Sequence, residues 1–438
     1  MHDETQRLLS RRHKVMGPHT PLFYDEPLHL VRGEGVWLFD NQGKRYLDVY
    51  NNVPHVGHCN PRVVEALQRQ ASTLNVHTRY LHENILDYLE RLCATFAPSL
   101  DRAMLTCTGS EANELALRMA RKFTGGQGII VTSDAYHGNT EAVAELGTGF
   151  MPEARTTKRV KSFAFPDSYR GLEGVPQAQL GDAYLAQVAA AIEAFEREGT
   201  PFAGMLICPD FANEGLLNVP EGFLERAAEL VHRASGVVIC DEVQAGFGRT
   251  GHHMWAHQHY NFVPDIVTLG KPMGNGHPLA GVVARADIIE PFSRDAMYFN
   301  TFGGTPVSCA VGMAVLDALA QDQLLENAIH TGSYIAQGLR KLQLAFPIIG
   351  EVRERGLFFA VEIVRDPHTK AHAGDEARKI VNAMRQHGVL ISAIGEQRSV
   401  LKLRPPMPFY REHADLLLST LQDVLSQVSN QREGLRND

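Results

Sequence analysis

The chain has 438 residues, 44% hydrophobic and 21% charged, with a formal net charge of −8. That is the composition of a globular protein of roughly two or three structural units, and the acidic balance argues against a non-specific nucleic-acid binder, which needs excess Lys and Arg. Residues 1–16 lack the apolar core of a signal peptide, no apolar run approaches the ~18 residues of a membrane span, and the six cysteines form no C-x-x-C pair, so a cytoplasmic protein is expected.

In chain order, residues 36–39 and 45–49 are strand-like and belong to an N-terminal segment, 1–55, expected to pack on the end of the chain. A large domain is expected over 56–325. It opens with a strand at 103–107 and a helix over 111–123, where Thr108 stands three residues before Glu111, the spacing of a capping box. Gly125-Gly126-Gln127-Gly128 is a turn before the strand at 128–132, since a dinucleotide fingerprint would follow the strand instead. Residues 150–182, rich in Gly, Pro and charge around Tyr169-Arg170-Gly171, read as loose surface structure. Strands at 205–208, 237–240, 266–269 and 281–284 follow, with a helix over 222–235 among them. Strands separated by helices predict an α/β fold with a mainly parallel sheet covered on both faces. After 325 the pattern becomes that of a smaller α+β domain, 326–438, with strands at 357–364, 389–394 and 400–403 and a last helix from about 412.

Ligands of open α/β sheets bind outside the carboxyl ends of the strands. At such ends stand Gly109-Ser110, Tyr136-His137-Gly138, Asp241 and Lys271. A helix opening with Gly109 and Ser110 can cradle a phosphate, although most such turns are only caps. Asp241 can cap the following turn or keep a pyridine nitrogen protonated. Lys271, between an apolar strand and Gly274-Asn275-Gly276, is a solvated loop residue or a lysine that is used chemically. Tyr136 can pack in the core or stack on a flat ring.

Together these residues resemble the class III aminotransferase family of fold type I pyridoxal 5′-phosphate (PLP) enzymes. The similarity lies in Thr108-Gly109-Ser110-Glu111-Ala112-Asn113, Tyr136-His137-Gly138, the string from Asp241 to Gly251, Gly270-Lys271-Pro272 and Asn300-Thr301-Phe302-Gly303-Gly304, in family order over about residues 20–430. The resemblance implies that Lys271 carries the cofactor as a Schiff base and that Asp241 pairs with its ring nitrogen. It implies a phosphate site at Gly109 and Ser110, ring contacts from Tyr136, His137 and Val243, and a contact from Gln244 to the phenolic oxygen. Thr301 would reach the phosphate of a neighbouring subunit, so a homodimer is implied.

Finer detail resembles the ethanolamine-phosphate phospho-lyase branch. It includes the run 51–59, Arg79-Tyr80-Leu81-His82, Asp167-Ser168-Tyr169-Arg170-Gly171, the run 270–278 and the run 299–304. The expected substrate is O-phosphoethanolamine or a related phosphorylated amine; the alternative is an aminotransferase of the alanine–glyoxylate or ω-amine type. Lys402 stands where many aminotransferases of the family carry an Arg, and lacks its bidentate fork. The family's Glu-Pro pair reads Cys208-Pro209, with Glu214 downstream. Both departures suit a substrate without an α-carboxylate. Arg79, Lys402 and Arg404 are the candidates to bind the substrate phosphate. His252, His253, His257 and His259 follow a turn where the family has no metal, and no metal site is expected.

Overall fold

Three sheets organise the chain in a computed structural model, which describes residues 3–151 and 157–437. The first begins with β1 (Leu30–Glu34), β2 (Trp37–Asp40) and β3 (Arg45–Asp48), paired antiparallel. The central sheet contains β4 (Arg102–Thr106), β5 (Gly128–Thr132), β6 (Val160–Phe163), β7 (Phe202–Ile207), β8 (Val237–Asp241), β9 (Ile266–Leu269) and β10 (Ala280–Ala284). Its spatial order is β4-β10-β9-β8-β7-β5-β6. Strands β6, β5, β7, β8 and β9 run parallel, while β10 is antiparallel to both neighbours.

Strands β5, β8, β9 and β10 are buried at every residue, which is why they read as unbroken apolar runs. Successive residues enter two separate cores. Ile130, Val238 and Cys240 pack with the helices Leu180–Arg197 and Phe223–Arg233. Ile129, Val131, Val237 and Ile239 pack with the helix Gly109–Thr124. This two-sided coverage is the mixed α/β, mainly parallel architecture the sequence predicts.

The third sheet is antiparallel and comes from the last quarter of the chain. Its strands are β11 (Ile349–Arg355), β12 (Phe358–Ile363), β14 (Ser392–Ile394) and β15 (Val400–Leu403), in the order β11-β12-β15-β14. The short β13 (Val389–Leu390) instead joins the first sheet, parallel to β3, with Val389 opposite Leu47 and Leu390 opposite Asp48.

Three local expectations need correction. The run 389–394, read as one strand, divides at the buried Ile391 between two sheets, a partition that apolarity alone does not encode. The stretch 150–182 is not wholly loose: residues 152–156 lie outside the described residues, but Val160–Phe163 is the edge strand beside β5, half-exposed and therefore weakly patterned. The helix expected from 111 starts at Gly109. Thr108 is its N-cap, with Thr108 Oγ1 accepting from the Glu111 N–H at 3.2 Å and Glu111 Oε2 accepting from the Thr108 N–H at 2.9 Å. Among the described residues, no helix is long and apolar enough to cross a membrane.

Candidate active site

Parallel strands deliver their carboxyl ends to one edge, and the polar residues there line a single pocket. Asp241, the last residue of β8, is buried. Its Oδ2 accepts from His137 Nδ1 at 2.7 Å and from Asn113 Nδ2 at 3.1 Å, and its Oδ1 accepts from the Val243 N–H at 3.0 Å. Burial alone would raise its pKa. The hydrogen bond and charge of His137, the Val243 N–H and the charge of Lys271 outweigh that and hold the carboxyl below its usual range. Asn113 is itself fixed, donating to the His137 carbonyl at 2.7 Å and accepting from Thr268 Oγ1 at 2.7 Å.

Lys271 follows β9 and opens the short 3₁₀ segment Lys271–Gly274. Its side chain is ringed by protein yet open to the pocket, which it lines together with Asp241, His137 and Ser110. Burial, and then the charge of Arg404, lower its pKa; Asp241 opposes them. A lysine with a depressed pKa is a better nucleophile and proton acceptor near neutrality.

Ser110, in the first turn of the helix Gly109–Thr124, faces Gly138 so closely that a Cβ at 138 would meet Ser110 Cα at 2.9 Å; φ at Gly138 is +141°. Ser110 Oγ accepts from the Asn139 N–H at 3.2 Å. The result is a glycine-walled helix N-terminus with a hydroxyl, suited to a phosphate. A Cβ at Gly109 would meet Val243 methyls at 3.1 Å, so this turn packs directly on Val243, another lining residue. Tyr136, half-buried, lines the pocket and meets Phe150 edge-on at 5.8 Å.

Gln244 links the pocket to two buried cations. Its Oε1 accepts from Lys402 Nζ at 2.9 Å and from Arg404 Nη1, and its Nε2 donates to Asn213 Oδ1 at 3.0 Å. Lys402 also donates to the Ala212 carbonyl at 2.7 Å, and Asn213 Nδ2 to the Tyr136 carbonyl at 3.1 Å. Because Lys and Arg only donate, the orientation of both amides is fixed. Lys402 and Arg404 are 3% and 4% exposed, and among the described residues neither has a carboxylate at ion-pair distance. Burial, then Arg404 and Lys271, push Lys402 well below the usual lysine range, and burial pushes Arg404 down to about 10. Glu214 is buried nearby, accepting from Thr132 Oγ1 at 2.6 Å, and burial raises its pKa.

The fold therefore brings together Gly109, Ser110, Tyr136, His137, Asp241, Val243, Gln244 and Lys271, with Lys402 and Arg404 joined through Gln244. Lys402 and Arg404 stand behind Gln244 and do not themselves line the pocket, and Arg79 and Thr301 lie away from it. Both are exposed on the surface, where Arg79 stacks on Phe299 at 3.7 Å. Sequence reasoning gave no role to Asn113, although its string was noted, and missed Asn213, which lies in no motif and is significant only through its neighbours.

An ionised buried carboxylate, a lysine of lowered pKa and a helix N-terminus on one pocket wall suit a cofactor with a ring nitrogen, an aldehyde and a phosphate. A model of the family described as aminotransferase class-III matches residues 23–425. A solved phospholyase from Arthrobacter, in complex with phosphoethanolamine, is similar with a TM-score of 0.92 and 47% identity, covering 96% of this chain and 99% of that one. The alanine–glyoxylate aminotransferase 2-like protein of Drosophila melanogaster is 38% identical over 96% of this chain and 87% of its own length. The ethanolamine-phosphate phospho-lyase homolog 1 of Caenorhabditis elegans is 33% identical over 97% of this chain and 94% of its own length. With a family match of that extent and the strand-end pocket behind it, the chain belongs to the class-III aminotransferase family and has the fold type I architecture of PLP-dependent transferases.

Proposed function

We propose that this protein is a PLP-dependent phospho-lyase that converts O-phosphoethanolamine, or a related phosphorylated amine, and water into an aldehyde (acetaldehyde for O-phosphoethanolamine), ammonia and phosphate. The observation that carries this reading is the pair of buried cations, Lys402 and Arg404, with no carboxylate partner among the described residues. A buried charge left unpaired is costly, and an anionic substrate offsets that cost. The Arthrobacter phospholyase, crystallised with phosphoethanolamine, supports the same substrate class.

The residues present fit PLP. Ser110 and the N–H groups at the start of its helix would hold the cofactor phosphate, beside the glycine wall that a Cβ at 138 would fill. Tyr136 and Val243 would flank the ring, with His137 and Gln244 at its edges, and Asp241 would hold the ring-nitrogen proton. The cofactor, when bound, supplies an aldehyde for the substrate amine and an electron-poor ring that accepts the electron pair left at carbon. Lys271, its amine freed when the substrate amine takes its place on the cofactor, would take the proton from the amine-bearing carbon, a role suited to its lowered pKa. The phosphate leaves from the neighbouring carbon, and the field of Lys402 and Arg404 favours the charge that grows on its oxygen.

We further propose a homodimer in which the exposed Arg79, stacked on Phe299, and the exposed Thr301, two residues beyond Phe299, serve the pocket of a second copy. The six cysteines are all unpaired, which supports a reducing, cytoplasmic setting. A second reading, an aminotransferase of the alanine–glyoxylate or ω-amine type, is favoured by the Drosophila melanogaster relative. Incubating holoenzyme with O-phosphoethanolamine alone separates them. Stoichiometric phosphate and acetaldehyde are expected; turnover that requires a keto acid, with no phosphate released, supports the aminotransferase instead.

A further inference from the structure

The segment Asp167-Ser168-Tyr169-Arg170-Gly171 follows the edge strand β6 and takes no part in the pocket, yet it reaches across to the sheet that carries Lys402. Arg170 Nη2 donates to Glu362 Oε1 at 2.7 Å, and Arg170 Nη1 donates to the Lys370 carbonyl. Lys370, with its backbone in the left-handed region at φ +54°, returns the contact: its Nζ donates to the Tyr169 carbonyl and lies 4.3 Å from the centre of the Tyr169 ring. The Tyr169 hydroxyl rests against Gly350 of β11, where any Cβ would collide with it.

Glu362 is the hub of this contact. It is 2% exposed and also accepts from Arg353 Nη2 at 2.6 Å and from Ser399 Oγ at 3.2 Å. Ser399 immediately precedes β15, and on the β12–β15 ladder Glu362 faces Val400 while Ala360 faces Lys402. The group that anchors Arg170 thus anchors the start of the strand that carries Lys402 and leads to Arg404. Since the two cations act only from a fixed distance, their effect depends on where β15 sits relative to the central sheet.

We propose that Tyr169-Arg170 is a clasp that sets the position of β15, making Arg170 a positioning residue for recognition of the substrate's anionic group. It touches neither substrate nor cofactor. The kinetic part of its test rests on the phospho-lyase reading; the structural part does not.

The test compares holoenzymes carrying Arg170→Gln, Arg170→Lys or Lys370→Met with the unaltered protein. Each is measured for KM and kcat with O-phosphoethanolamine, inhibition by inorganic phosphate, the visible spectrum, and amide hydrogen exchange over 399–404. With Arg170→Gln, KM and the phosphate inhibition constant should both rise roughly tenfold, the scale of one lost charge-assisted hydrogen bond. The spectrum and kcat should hold, and amides 399–404 should exchange faster while β8 and β9 do not change. Arg170→Lys should recover most of the loss, and Lys370→Met should shift the same quantities less. Unchanged KM and phosphate inhibition in Arg170→Gln and Lys370→Met, or parallel loss of kcat and spectrum in both, overturns the clasp. If Arg170→Gln does not fold, the other two variants decide the matter by the same readouts. If the unaltered enzyme releases no phosphate, the phospho-lyase reading fails, and the exchange rates over 399–404 alone decide the clasp: faster exchange supports it and unchanged exchange overturns it.

Discussion

His137 Nδ1 stands 2.7 Å from Asp241 Oδ2, and both residues are buried. The carboxylate accepts, so Nδ1 carries the proton; Asn113 and the Val243 N–H use further lone pairs of the same group. This bonding keeps Asp241 ionised in a buried place, which a protonated ring nitrogen requires. Asp241→Asn is therefore expected to lower kcat by a factor on the order of 10²–10³, as for other losses of a preorganised charge. His137→Phe should have a smaller effect in the same direction. Steady-state turnover beside the visible spectrum checks both, and an Asp241→Asn enzyme of near-native kcat would remove Asp241 from the mechanism.

Lys271 is the lysine that opens into the pocket, so it should be the point of covalent attachment. Borohydride reduction of the holoprotein followed by peptide mass spectrometry should find the label at position 271. Lys271→Ala should show no label and lose activity by about 10⁴-fold or more, the upper range for removal of a positioned base. Label on another lysine would overturn the assignment.

Gly138→Ala tests the phosphate cradle. The left-handed backbone costs a side chain about 1–3 kcal/mol, and the added Cβ would press on Ser110. The PLP concentration that restores half the visible absorbance of apoprotein should rise tenfold or more, on the order of 1.4 kcal/mol, with a modest fall in Tm. An unchanged titration would place the cofactor phosphate elsewhere.

The pKa of Lys402 sets a pH dependence. Burial first, then Arg404 and Lys271, hold it well below the ordinary lysine range, so the unliganded side chain gives up its proton at a lower pH than an ordinary lysine. A dianion restores the charged form, so binding takes up a proton and affinity falls as pH rises through the lowered pKa. Titration calorimetry with methyl phosphate near pH 8, where a phosphate monoester with a second pKa of about 6 is already a dianion, should show proton uptake when two buffers are compared. Lys402→Met should lose that uptake. Equal uptake in both proteins would assign the proton to another group.

The central sheet and the residues at its strand ends were legible in the sequence because each is local. Strands buried on both faces need continuous apolar runs, as at 128–132, 237–241 and 266–269. The Thr108–Glu111 box marks a helix start through four consecutive residues, and Asp241 and Lys271 could be singled out because one ends such a run and the other stands two residues past another. These features follow from spacing along the chain and can be read without any fold.

Which distant residues act together emerges only from the packing. Asn213 and Gln244 look like ordinary polar residues until two cations, one in β15 and one just after it, reach the same amide oxygen. Residues 389–394 divide between two sheets, Arg170 meets Glu362 across 192 positions of chain, and Arg79 lies outside the pocket of its own chain. Apolar burial is non-directional and fixes where a strand is hidden. Hydrogen bonds and charges are directional and short-ranged, so their partners are set only when the packed elements meet.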